Sequence, residues 1–239
     1  MTELLYQTDS TLREFDAIVT EIIGDGVVLD RTAFYPSGGG QPCDSGGLLT
    51  VDQEWQVVKV KHSEGRVVHK LDRDPPPVGT KVIGSLDWEH RYALMRTHTA
   101  MHILCGVIWR DYGASVTGGQ MEPLRGRMDF EFERMQAELV IEIEEKINVE
   151  VAAARPVSVQ IMPRDEAFQI PDLIRTKINL LPPQITEVRV VTIEGLDTQA
   201  DGGTHVENTS EVGSMHIVDY KSKGRINKRL VVELEEMTQ

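Results

Sequence analysis

The chain has 239 residues, 40% of them hydrophobic, and its 38 Asp and Glu outnumber 25 Lys and Arg for a formal net charge of -13. That length holds one large domain or two ordinary ones with real cores, no stretch nears the ~18 uncharged apolar residues of a membrane span, and the first residues lack a signal pattern. Two cysteines, Cys43 and Cys105, fit a reducing cytoplasm rather than a disulfide scaffold, and the acidic total weighs against nucleic acid, which usually meets a basic footprint.

Residues 1–86 are expected to form a β-barrel-like domain. The segments 17–23, 26–29, 54–60 and 66–69 are short runs rich in β-branched residues. Turn signals separate them, at residues 24–26, 37–40 and 63–65, a pattern typical of a small barrel or sandwich. Three consecutive prolines exclude 72–79 from a central strand or a helix interior, so this stretch is a loop between strands or a linker.

The texture changes at Asp87, a good N-cap for a helix over 88–110 that stops near Gly113. Leu94, His98, His102 and Cys105 share one face of it, with Met95 and Met101 beside them. A second helix is expected over 133–154, ending before Arg155-Pro156. Met135, Leu139, Ile143, Ile147 and Val151 recur every four residues as its buried stripe, which leaves Glu138, Glu142, Glu145 and Glu150 to a solvated face. Strands are expected over 157–161, 187–193, 216–218 and 229–234. Helices mixed with antiparallel-looking strands make residues 87–239 an α+β domain and the whole chain α+β.

The chemistry concentrates in two pairs. His98 and His102 are one helical turn apart, so both imidazoles can reach a single ion. About a hundred residues later, Asp201-Gly-Gly-Thr-His205 sets a carboxylate and an imidazole on either side of a Gly-Gly that allows a sharp turn. Three imidazoles and one carboxylate make a plausible zinc set, of four ligands or of three plus a water. Taken singly, a helical histidine pair is as readily a hydrogen-bonded core pair, and Asp-Gly as readily a plain turn. Together they are far more specific.

These residues carry a family resemblance. The His98/His102 helix with Asp201-Gly-Gly-Thr-His205-Val resembles the metal-binding editing domain of alanyl-tRNA synthetases, and is most similar to the free-standing alanyl-tRNA editing proteins of the AlaX group, medium-length type. Residues 31–46, with Gly38, Gly39, Gly40 and Gln41, resemble the glycine-rich segment that these proteins share with the synthetase, and residues 118–130 resemble the region after the metal helix. The resemblance implies a zinc-dependent hydrolase that deacylates tRNA(Ala) mischarged with serine, or with glycine, without an obligate protein partner. It also implies metal ligands His98, His102, Asp201 and His205. One departure stands out: the synthetase-type motif has Cys where this chain has Asp201, so either the harder carboxylate binds the metal directly or it holds a bound water beside three histidines.

Zinc in such a site could acidify a water or polarise the ester carbonyl of an aminoacyl-tRNA. Position 99 is Thr rather than Glu, which argues against the metalloprotease helix motif. Correct alanyl-tRNA must survive although alanine is smaller than serine, so the site has to recognise the serine hydroxyl. The resemblance places Thr117 and Gln120, after the metal helix, among the substrate-side polar residues, against the alternative of a Thr-Gly-Gly turn; the 38–41 loop is another candidate, against a plain hairpin loop. Two other functions compete with this one: hydrolysis of another small ester or amide, and a non-catalytic RNA-binding module with structural zinc. The charge map reconciles acidity with tRNA. Residues 1–90 and 91–218 each carry -7, but the segment 219–239 carries +1, with Lys221, Lys223, Arg225, Lys228 and Arg229 inside nine residues. That patch, with Arg91 and Arg96 of the metal helix, is expected to hold the acceptor end weakly, with a shallow salt dependence.

Overall fold

A computed structural model describes residues 2–132, 136–176, 181 and 183–236. The chain divides into two compact units, Met1–Ala93 and Leu94–Gln239, the division falling inside a long helix. It is an α+β protein, and among the described residues no helix is long and apolar enough to cross a membrane.

The first unit opens with a two-residue parallel ladder between β1 (Glu3–Leu4) and β4 (Arg31–Thr32). Its body is a closed barrel of β2 (Glu14–Ile23), β3 (Gly26–Leu29), β5 (Gly46–Leu49), β6 (Glu54–Ser63), β7 (Arg66–Leu71) and β8 (Lys81–Leu86), in the order β2-β3-β7-β6-β5-β8. Closure removes every free edge. Alternation along β2 sends Phe15, Ala17 and Val19 inward, where they meet Val27, Leu29, Phe34, Leu48, Trp55 and Val60. The proline segment 72–79 is a loop between β7 and β8, tied to the barrel by the Trp55 indole N–H donating to the Asp74 carbonyl at 2.9 Å. The glycine-rich segment makes a tight turn: Gly38 and Gln41 exchange backbone hydrogen bonds around Gly39 (φ 55°) and Gly40 (φ 88°), both left-handed.

Helix α1 (Trp88–Tyr112) starts as its sequence predicts. The Asp87 carboxylate accepts from the His90 N–H at 3.2 Å, and Gly113, at φ 63°, ends the helix. Arg91 is not a surface cation. It is fully buried, with its guanidinium forked onto the Asp44 carboxylate and donating to the Ala33 and Ser10 carbonyls. Asp44 also accepts from the Tyr35 N–H, so this ion pair organises the backbone on both sides of the glycine-rich turn.

In the second unit, α1 is buried from Leu94 to Ile108, the polar Arg96, Thr97, His98, Thr99 and His102 included. Beside it lies a four-stranded antiparallel sheet of β9 (Val116–Glu122), β10 (Arg125–Glu131), β14 (Met215–Ser222) and β15 (Asn227–Leu234), ordered β14-β15-β10-β9. Gly126 of β10 admits the Met101 side chain where a Cβ would stand 2.6 Å from its sulfur. Arg96, the second cation expected at the surface, is also buried and donates to the Val212 and Glu235 carbonyls. A three-stranded antiparallel sheet holds β11 (Val157–Pro163), β12 (Glu187–Ile193) and β13 (Asp197–Ala200), with the short helix α3 (Arg164–Ala167) following β11.

Helix α2 (Ala137–Ala152) buries Val140, Ile143, Ile147 and Val151, while Leu139 is half-buried and the expected Met135 lies outside the described residues. Glu150 departs from the solvated face assigned to it. It lies three residues after Ile147 on the inner side, is 4% exposed, and bridges Arg110 and Arg155 at 2.5 Å each.

Candidate metal centre

The site lies wholly within the second unit. Helix α1 supplies His98 and His102 from one face, and the loop after β13 supplies Asp201 and His205. The four ligand atoms lie within 4.8 Å of one another. Ring centroids are 5.2 Å apart for His98 and His102, 4.3 Å for His98 and His205, and 4.7 Å for His102 and His205. Asp201 faces the same space, with Oδ1 3.5 Å from His98 Nε2 and Oδ2 3.0 Å from His205 Nε2. The loop turns without left-handed glycine at 202, where a Cβ would meet nothing within 4 Å. Its bend is held instead by the Gly203 N–H donating to Asp201 Oδ2 at 2.7 Å, and by the Arg189 guanidinium on the Asp201 carbonyl at 3.0 Å.

Around the four residues stands a second ring of polar groups. The Asp197 carboxylate lies 3.0 Å from His102 Nδ1. The Thr99 hydroxyl lies 3.2 Å from His205 Nδ1 and accepts from the Val206 N–H at 3.3 Å. Thr99 therefore stands at the site, against the Nδ1 side of the His205 ring.

Electrostatics suit a cation. Burial, with the neighbouring His102 and Arg189, pushes the His98 imidazole down to about 4 against the pull of Asp201. Burial and His98 likewise hold His205 well below the ordinary histidine value. Burial opposes ionisation of Asp201, but the surrounding imidazoles outweigh it and hold the carboxyl well below its usual range. At His102 burial opposes protonation, yet Asp197 more than compensates and the pKa is raised. Asp201, His98 and His205 are thus held in the forms that bind a metal, while at His102, where the pKa is raised, a metal would compete with a proton.

A family model described as tRNA synthetases class II (A) matches residues 6–90, and one described as the threonyl and alanyl tRNA synthetase second additional domain matches residues 188–231. The chain is 41% identical over 235 residues to the alanyl-tRNA editing protein AlaX-M of Saccharolobus solfataricus, covering 96% of this chain and 98% of that protein. It belongs to the alanyl-tRNA editing protein family. The AlaX-M protein of Methanosarcina barkeri is 38% identical over 241 residues, covering 98% of this chain and 99% of its own. The alanine–tRNA ligase of Pyrobaculum neutrophilum is 42% identical over 223 residues, which span 90% of this chain but 25% of the ligase.

The remaining residues singled out in this family member fall in three places. Gly38, Gly39 and Gly40 form the tight turn of the first unit, and Gln41 is buried beside it. Thr117 and Gln120 sit on strand β9 rather than in a Thr-Gly-Gly turn, because β9 pairs with β10 through Gly118 and Gly119. Both side chains are exposed, and Gln120 accepts from Arg127 at 2.7 Å. Gln120, Lys221 and Arg229 line one depression on the sheet, with Arg125, Arg127 and Asp219. The basic patch separates. Lys221, Lys223 and Arg225 are exposed where β14 turns into β15, but Lys228 is 6% exposed and donates to the Gly224 and Arg225 carbonyls. Arg229 forks onto Asp129 at 2.6 and 2.8 Å.

Asp197, Arg189, Arg175 and Gln199 escaped sequence reasoning altogether. The one available signal was an acid opening the strand that leads to Asp201; within Glu194-Gly-Leu-Asp197 it reads as turn chemistry.

Proposed function

We propose that this chain is a zinc-dependent aminoacyl-tRNA deacylase that clears tRNA(Ala) mischarged with serine, with glycine as the second candidate. The observation that carries the reading is the convergence of His98, His102, Asp201 and His205, three imidazoles and a carboxylate, in a buried space in a chain of this family. That donor set, without thiolate, fits zinc. Zinc held there would supply Lewis acidity toward the aminoacyl ester or its attacking water.

The protein's own groups do the rest. His98, His102 and His205 hold the centre through nitrogen, and Asp201 adds an anionic oxygen and keeps the loop bend in place. Burial around the cluster excludes bulk water and strengthens each electrostatic contact. Discrimination against alanine requires polar groups that only a serine hydroxyl satisfies. Thr117 and Gln120 are our candidates, with the backbone of Gly38, Gly39, Gly40 and Gln41. For the tRNA acceptor end we assign the exposed Lys221, Lys223 and Arg225, of which Lys221 pairs with Asp219 at 2.7 Å, ahead of Lys228, buried on its own turn, and Arg229, forked onto Asp129. The deciding experiment measures zinc content and Ser-tRNA(Ala) deacylation in His98→Ala, His102→Ala and His205→Ala. Each should lose both together; full activity in a metal-free triple variant overturns the reading.

A further inference from the structure

An imidazole can offer either nitrogen to a metal, and which one is free depends on where the ring proton is held. We propose that Asp197 is the positioning residue of this centre: its carboxylate accepts the Nδ1–H of His102 and so presents Nε2 to the ion. The inference rests on the zinc reading above and adds to it a residue outside the ligand set.

Geometry carries the proposal. Asp197 Oδ2 lies 3.0 Å from His102 Nδ1 and accepts from the Gln199 amide at 2.6 Å, while Oδ1 accepts from Arg175 Nε at 3.3 Å. With both oxygens engaged the carboxylate cannot rotate away. Its side chain is fully buried, so no bulk water competes for the imidazole N–H. Arg175 is fixed in turn, its guanidinium 4.8 Å over the Trp109 ring. Trp109 stands on α1 two turns beyond His102, so the chain of contacts begins and ends on the helix that carries the ligand.

The backbone is shaped for the same contact. Gly106, one turn after His102, lets the β12–β13 turn approach the helix so closely that a Cβ there would stand 2.9 Å from Leu196 Cγ and 3.1 Å from Asp197 Cβ. A side chain at 106 would press on both residues, so the close approach that brings Asp197 to the imidazole relies on glycine here. A buried acid needed only to neutralise Arg175 would not have to reach His102. The anionic acceptor also makes the imidazole a stronger donor to a metal, which the neutral Thr99 beside His205 does to a lesser degree.

The test uses the full chain loaded with zinc. Long-range proton–nitrogen spectra of histidine-labelled wild-type protein should show His102 protonated at Nδ1 and bound through Nε2; binding through Nδ1 overturns the proposal, with no variant needed. Asp197→Asn and Asp197→Ala should weaken zinc, by chelator competition, about 10- to 100-fold and alter the visible spectrum of the cobalt-substituted protein. Variants that melt earlier yet bind zinc like wild type, with an unaltered cobalt spectrum, give Asp197 a purely structural role and overturn the proposal. Failure of the metal reading is distinguishable, because wild type itself would then take up neither zinc nor cobalt.

Discussion

Gly106 lies in the interior of α1, where helix propensity alone favours alanine by about 0.8–1 kcal/mol. Here the methyl group of Gly106→Ala would meet Leu196 Cγ at 2.9 Å, too short to persist, and Asp197 Cβ at 3.1 Å, tight enough to push it by a few tenths of an ångström. Forcing an extra carbon into a packed interior costs about 1–3 kcal/mol, which exceeds the propensity gain. The expected net is a loss of roughly 0–2 kcal/mol in the metal-free chain. The larger effect falls on zinc. As the β12–β13 turn retreats it draws Asp197 from its 3.0 Å contact with His102, and affinity should drop about tenfold or more. Urea unfolding of the metal-free protein measures the first quantity and chelator competition the second. A variant stabilised by about 1 kcal/mol with unchanged zinc affinity refutes the reasoning, since it would mean the helix has room at this position.

Arg91→Met strips the buried Asp44 carboxylate of its charge partner and should cost about 3–5 kcal/mol in urea unfolding, with most of it recovered when Asp44→Leu is added; a single variant within about 1 kcal/mol of wild type contradicts this. His69 is buried between Thr32 Oγ1 at 2.8 Å and the Val27 carbonyl at 3.2 Å, and burial pushes its pKa down to about 4. The unfolded chain takes up a proton near 6.5 that the folded ring refuses, so this contribution is intact above pH 6.5 and lost as pH falls toward 4, by roughly 3 kcal/mol in all. Urea midpoints between pH 7 and 4 should decline less in His69→Gln than in wild type, and parallel declines contradict it. If Asp201 ligates the metal directly, Asp201→Ala should weaken zinc by more than the ~10- to 100-fold expected for an outer partner; zinc retained while deacylation is lost would assign the carboxylate to holding a water.

Much of the barrel was legible because its β-branched runs alternate and its turns carry glycine. Strands β5 and β8 were not, since each trades side chains for close approach. Gly84 of β8 lies under the Phe15 ring, where a Cβ would stand 2.4 Å from ring carbons, and Gly46 of β5, at φ 154°, packs against the Ser85 carbonyl. Such glycines read locally as loop. The four-residue cluster was legible because helical spacing alone brings His98 to His102, and Asp201 to His205 is a local loop relation. What spacing could not reveal is which charges are buried. Arg91, Arg96 and Glu150 look like ordinary surface charges in sequence, yet each satisfies groups distant along the chain, such as Asp44, the Val212 carbonyl and Arg110. Within the basic patch Lys228 and Arg229 are hidden in the same way, because a two-stranded ladder folds Lys228 back onto its own turn and sets Arg229 opposite Asp129.

Deacylation of Ser-tRNA(Ala) and Ala-tRNA(Ala), followed with the purified full chain before chelation, after it, and after zinc is restored, tests the central claim most directly. The predicted result is hydrolysis of the serine ester with the alanine ester spared, lost on chelation and regained with zinc. Undiminished hydrolysis by the metal-free protein, or equal hydrolysis of both esters, would contradict the account.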